Sequence, residues 1–236
     1  DKKKIPQKVW DNLNYYGKGY EIIFFSDDDC VNYLKRNFSI KFSNKFKNLK
    51  HGAHKADLFR YCVLYKEGGI YLDIDLEPKV KFDQIFDHNS EKLFYTVITG
   101  SEILNNVTSK KKNKIKKWVR RLKNKSELEI FQALIATYPN NPIFKKLIKD
   151  FWVMINPHKN HNITTIKFYY RLQDLIKKKL NEGIFFTKNE IKIILFSEKN
   201  KKNKNENEKP DKLGRYCKIY DGEKRLFNSR YVDYPW

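Results

Sequence analysis

The sequence predicts an α/β fold, a mixed or mostly parallel sheet with helices on both faces, and three observations carry that prediction. The first hundred residues alternate between β-branched or aromatic runs and stretches of helical period. Residues 70–76 show strict apolar and polar alternation. The 236 residues are 40% hydrophobic and 15% aromatic, enough to bury a sizeable core and too apolar for a disordered chain.

Taken in order, residues 5–10 (Ile-Pro-Gln-Lys-Val-Trp) are short and β-compatible, and residues 20–26 form a fuller strand of isoleucine and phenylalanine. Asp27, Asp28 and Asp29 can cap the helix that Val31, Leu34 and Phe38 then imply. Residues 51–66 read as a helix with Ala56, Phe59 and Val63 on one face, ended by Glu67-Gly68-Gly69. The strand at 70–76 follows, then a core strand at 92–99. Helices are expected at 127–137, 142–155 and 165–180, and strands at 184–186 and 191–196. Residues 198–212 carry no apolar anchor and read as a mobile loop before the tail at 231–236. The chain is expected to be one domain, with residues 5–100 as its ligand-binding half and 101–182 as a helical part.

The formal net charge of +21 first suggests a polyanion partner. However, 41 of the 49 basic residues are Lys and only 8 are Arg, and 23 Asn accompany them. Lys, Asn, Phe, Tyr and Ile belong to A/T-rich codons, so genome composition accounts for the profile. Arg, the residue suited to bidentate phosphate or base contacts, is scarce. No nucleic-acid partner is therefore expected. Residues 110–125 are the exception in density, with ten basic residues in sixteen positions around Ile115, Trp118, Val119 and Leu122.

Cys30, Cys62 and Cys217 have no paired spacing, so neither a disulfide framework nor a zinc site is indicated. No apolar run approaches the roughly 18 residues of a membrane span. The absence of an initial Met fits removal of something N-terminal. A cytoplasmic location is expected, with a Golgi lumen as the alternative if an anchor has been removed. Four Asn-x-Ser/Thr sequons, at Asn37, Asn106, Asn124 and Asn162, do not decide between them.

Chemistry concentrates between Lys55 and Asp75. Asp57 and Arg60 are i and i+3 on a helix, so one ligand can meet both. The double glycine makes a tight return into a strand on which Asp73 and Asp75, two apart, share a side. Paired carboxylates supply the hard oxygens that Mn²⁺ or Mg²⁺ prefers, and such an ion neutralises phosphate charge. His51 and His54 read as helix N-terminal residues and not as ligands. His88, His158 and His161 have no partner spacing, and no nucleophile–base pair is legible.

This stretch, Ala-Asp-Leu-Phe-Arg-Tyr-Cys-Val-Leu-Tyr-Lys-Glu-Gly-Gly-Ile-Tyr-Leu-Asp-Ile-Asp from Ala56 to Asp75, resembles the family 32 glycosyltransferases, which carry a sugar-binding region with an Asp-x-Asp motif and are themselves similar to the glucosylating domains of large clostridial toxins. Residues 5–10 look like a shortened form of the family's first strand, residues 20–29 like its second strand and helix start, and residues 132–142 match a further family segment. The resemblance covers residues 5–150 and implies a GT-A fold with a helical insertion after the Asp-x-Asp strand. It also implies a UDP- or GDP-sugar donor, a glycan or protein acceptor, Mn²⁺ or Mg²⁺, and hexose transfer with retention. By that resemblance Trp10 stacks on the base, Asp57 and Arg60 orient the sugar, Tyr71 and Asp73 contact ribose and sugar, and Asp75 holds the metal. Asp233 stands where the family often has a metal-completing His, and Trp236 would cover the diphosphate. The family's Thr-Gly-Pro is reduced to Thr164-Thr165-Ile166, so the acceptor side does not transfer. The competing expectations are a basic polyanion-binding module and an inactive member of the family.

Overall fold

A computed structural model describes residues 2–87, 92–99, 129–154, 180–181, 184–186, 191–200 and 217–228. Pro6 opens α1 (Gln7–Tyr16), whose Val9 and Leu13 are buried one turn apart, and Gly17 closes it by donating to the Leu13 carbonyl at 2.8 Å. The strand expected at 5–10 is thus a helix. A six-residue window hides the i, i+4 repeat that the longer Val9–Leu13 spacing reveals.

The strand expected at 20–26 does not form: residue 20 is a bend and residues 21–26 take no regular secondary structure. Phe25 packs edge-on against Tyr33 and Phe59, and Phe24 against Trp10. α2 (Asp27–Asn37) starts from Ser26 and not from an aspartate. The Ser26 hydroxyl accepts from the Asp29 amide while the Asp29 carboxylate accepts from the Ser26 amide, a reciprocal capping box. After Ser39 caps α3 (Ile40–Lys47), α4 (Gly52–Glu67) runs from His51 to Gly68. α4 is buried almost continuously from Asp57 to Leu64, because it lies between the sheet and the other helices.

The sheet contains β1 (Gly69–Leu72), β2 (Glu77–Pro78), β3 (Leu93–Thr99), β4 (Glu129–Thr137), β5 (Leu180–Asn181), β6 (Ile184–Phe186), β7 (Lys192–Asn200), β8 (Cys217–Asp221) and β9 (Lys224–Asn228). Its order is β1-β4-β3-β7-β8-β9-β2, with β6 also on β7 and β5 on β6. The β3–β7 pair is parallel and the other described pairs are antiparallel, so the sheet is mixed.

The helix expected at 127–137 is β4. Its residues are apolar nearly throughout and buried on both sides, a pattern that gives strand and helix the same hydrophobic run. The expected strand at 70–76 stops at Leu72, where the Leu76 amide turns back to the Asp73 carbonyl at 3.0 Å. Residues 198–200, expected to open a loop, are the end of β7, and the rest of that stretch lies outside the described residues. The β8–β9 hairpin was not anticipated, although Asp221-Gly222 between two apolar runs is a hairpin signal, with Gly222 at φ 58°. α5 (Pro142–Met154) and the strands at β3, β6 and β7 are where the sequence places them. The basic cluster at 110–125, the insertion around it, and the helix at 165–180 apart from Leu180 lie outside the described residues.

Two cores result. Phe94, Ile135 and Ile193 face α2, α3, α4 and α5, whereas Tyr95, Val97, Leu134 and Phe196 face α1 and the β8–β9 hairpin. Helices therefore cover both faces of a mixed sheet, the arrangement of a GT-A-like fold. Among the described residues no helix is long and apolar enough to cross a membrane.

Candidate active site

Gly68 makes the site possible. It takes φ +68°, and a Cβ there would meet the Pro139 nitrogen at 2.7 Å, so only glycine lets α4 turn straight into β1. That short return sets Asp57 and Arg60 on α4 against Tyr71 and Asp73 at the end of β1.

Arg60 is the centre. It is 5% exposed, and its Nη2 stands 3.4 Å from both Asp57 Oδ1 and Asp73 Oδ1. Its Nε donates to the Ala56 carbonyl at 3.3 Å, Nη1 donates to the Gln132 carbonyl, and the guanidinium lies 4.7 Å from the Tyr71 ring centre. The Tyr71 hydroxyl donates to Asp73 Oδ1 at 2.8 Å. Burial works against the Arg60 charge, but Tyr71, Asp73 and Asp57 outweigh it and hold the guanidinium above its ordinary pKa. Burial also pushes the Tyr71 phenol up, countered by Arg60, so Tyr71 stays a neutral donor.

The β4 strand supplies what the sequence did not reveal. Between Thr96 and Val97 the β3–β4 register jumps, from Ile135 to Phe131 as partner. This bulge turns the Gln132 carbonyl to Arg60 and the Ala133 carbonyl to the Asp73 amide at 2.8 Å. The Tyr61 hydroxyl donates to Gln132 Oε1 in the same buried group. No spacing rule announces a bulge, so Tyr61, Gln132 and Ala133, though inside the family-like segments, carry no site role in the sequence reading.

Asp73 and Asp75 do not share a strand face, because the strand has ended. Asp73 follows β1 and Asp75 lies in the turn. Asp73 Oδ1 is committed to Arg60 and Tyr71, and the Asp73 side chain is 34% exposed. The carboxylates of Asp73 and Asp75 offer the hard oxygens that suit a divalent cation. Among the described residues no group of three or more His, Cys, Asp or Glu is placed to hold one.

Two residues past Asp75, β2 pairs with β9, with Glu77 opposite Asn228. Because the pair is antiparallel, β9 ends beside the Asp73–Asp75 turn. Asp233 and Trp236 lie outside the described residues. Trp10 stands on α1 against Phe24, with centroids 5.9 Å apart and Lys2 over its ring, and makes no described contact with the Arg60 group. His51 caps α4 with its ring 5.2 Å from His54, in keeping with a structural role.

Comparison with known proteins places the chain among glycosyltransferase-like sequences. Residues 4–92 match the family described as glycosyltransferase sugar-binding region containing DXD motif. The chain is 27% identical over 154 residues to "Uncharacterized glycosyltransferase L373" of Acanthamoeba polyphaga mimivirus, covering 65% of this chain and 51% of that protein. It is 26% identical over 135 residues to inositol phosphoceramide mannosyltransferase 3 of Schizosaccharomyces pombe, 56% of this chain and 37% of the relative. It is 30% identical over 66 residues to the mannosyl phosphorylinositol ceramide synthase SUR1 of Saccharomyces cerevisiae, 28% of this chain and 17% of the relative. The chain thus spans about half the length of the viral relative and less of the yeast ones. No solved structure matches significantly.

Proposed function

Because the chain carries a glycosyltransferase sugar-binding region with a DXD motif over residues 4–92, we propose that it is a metal-dependent hexosyltransferase, moving a hexose from a UDP- or GDP-sugar to a glycan or protein acceptor with retention of configuration. The observation that carries this reading is the buried Arg60, held between Asp57 and Asp73 beside the Asp73–Asp75 turn. A buried cation fixed by two carboxylates is a rigid positioning group. Two bonds to Nη2 and one to Nη1 leave it no freedom to follow a misplaced sugar.

In this reading Asp57 and Arg60 orient the donor sugar, while Tyr71 and Asp73 meet sugar and ribose. Asp75 and Asp73 would hold Mn²⁺ or Mg²⁺, whose chemistry when bound is to neutralise the diphosphate leaving group. The end of β9 beside the turn supports Asp233 as a further oxygen ligand and Trp236 as a cover over the diphosphate. Trp10 is proposed to stack on the base. No residue is assigned as a covalent nucleophile, and in this reading the departing phosphate takes the acceptor proton on the same face. The names of the two yeast relatives make mannose the first hexose to test and a phosphoinositol lipid an acceptor to include.

The test is product analysis by mass across UDP- and GDP-sugars with and without Mn²⁺. Metal-dependent release of free hexose and nucleotide from one donor is expected. Release from none would contradict the proposal.

A further inference from the structure

The Asp-x-Asp turn is tied at both ends, and the second tie has an unusual composition. At its start, the Asp73 amide is bonded to the β4 bulge. At its end, one residue past the buried Leu76, Glu77 is 7% exposed, and its two carboxylate oxygens are divided. Oε1 meets Lys79 Nζ at 3.0 Å, and Oε2 accepts from Asn228 Nδ2 at 2.6 Å. Asn228 is itself buried, and across β9 it faces Lys218, also buried, so a polar row crosses β2, β9 and β8 where apolar residues would pack more cheaply. Among the described residues the buried Asn228 Oδ1 has no hydrogen-bond partner. An orphaned buried acceptor costs stability, so this asparagine is there for its amide N–H and not for the core.

We propose that Asn228 is a positioning residue for the Asp75 carboxylate. By holding Glu77 it fixes the C-terminal end of the turn to β9, so that Asp73 and Asp75 keep one spacing when they meet a divalent cation. This inference rests on the glycosyltransferase reading for its purpose. Its physical content is that the turn loosens when the Asn228–Glu77 bond is lost.

Two readouts test it on the whole chain: hydrogen exchange of the Asp73 and Leu76 amides without ligand, and the Mn²⁺ concentration that half-saturates thermal stabilisation by UDP or GDP. Asn228→Leu, or Asn228→Ser if the first does not fold, is expected to speed that exchange about tenfold and raise the half-saturating Mn²⁺ about tenfold. The exchange pair Glu77→Gln with Asn228→Asp, which keeps the hydrogen bond with its polarity reversed, is expected to restore both to within about twofold. Leu147→Ala in α5, a remote core truncation, is expected to lower Tm while changing neither. If the Asn228 variants behave like Leu147→Ala, or if the pair restores nothing, the proposal is overturned. If the wild type shows no Mn²⁺-dependent nucleotide shift, the glycosyltransferase reading fails, and the exchange rates alone still decide the positioning claim.

Discussion

Arg60 is the residue from which most of the site follows, and its partners say what its loss would do. Asp57 and Asp73 are both within 3.4 Å of one guanidinium nitrogen, and Asp57 is nearly as buried as Arg60. Arg60→Ala is expected to destabilise the fold by about 3–5 kcal/mol, since a buried carboxylate loses its cation. Arg60→Lys keeps the charge but not the planar fork. It is expected to cost less in Tm and still reduce turnover about 100-fold, read as the ratio of kcat/KM values. Tyr71 gives a pH prediction. Burial raises its folded pKa above the ordinary 10.0, so the native state keeps a proton that the unfolded state sheds. Stability is fully present below pH 10 and falls as pH rises toward the folded value, and Tyr71→Phe should flatten that alkaline decline in thermal melts. At Cys30, burial with Asp27 and Asp29 nearby pushes the thiol to about 12, so it should resist alkylation at pH 8 until the protein unfolds.

The elements show why residues were easier to read than strands. Asp57, Arg60 and Asp73 are legible from spacing because a helix, a glycine turn and a strand follow each other without a gap, whereas Tyr71 enters only through the family resemblance. α1 and β4 are not legible from spacing. In α1 the helical repeat extends past the short apolar run, and in β4 burial on both faces erases the period. The assignment of β4 as a strand is a tertiary outcome, since β1 and β3 need it between them, and its bulge is legible only once that pairing exists. The shared strand face expected for Asp73 and Asp75 does not form, because β1 ends at Leu72 and the chain turns, with the Leu76 amide bonded to the Asp73 carbonyl. Gly68 is the element-scale test. Gly68→Ala forces a side chain into φ +68° and against Pro139, and is expected to lower stability by about 2 kcal/mol, whereas a Cβ at Gly69 meets nothing within 4 Å. Comparing the two alanine variants by chemical denaturation separates the contact from their shared positive φ.

At the scale of the molecule, the carboxylate-bearing turn joins β1 and β2, the two end strands of the sheet order, inside a chain of net charge +21. Composition alone pointed to a polyanion partner, and the scarcity of Arg already weakened that. One of the few arginines, Arg60, is buried between carboxylates and so adds nothing to a basic surface. The remaining positive field would draw in an anionic sugar nucleotide, and association should slow as salt rises. The most direct measurement is isothermal titration of UDP and of GDP into the chain with and without Mn²⁺, set beside Asp75→Ala. The account predicts that one nucleotide binds, that binding needs Mn²⁺, and that Asp75→Ala abolishes the Mn²⁺ dependence while the protein stays folded. Nucleotide binding that ignores both Mn²⁺ and Asp75, or tight binding of single-stranded nucleic acid in its place, would contradict it.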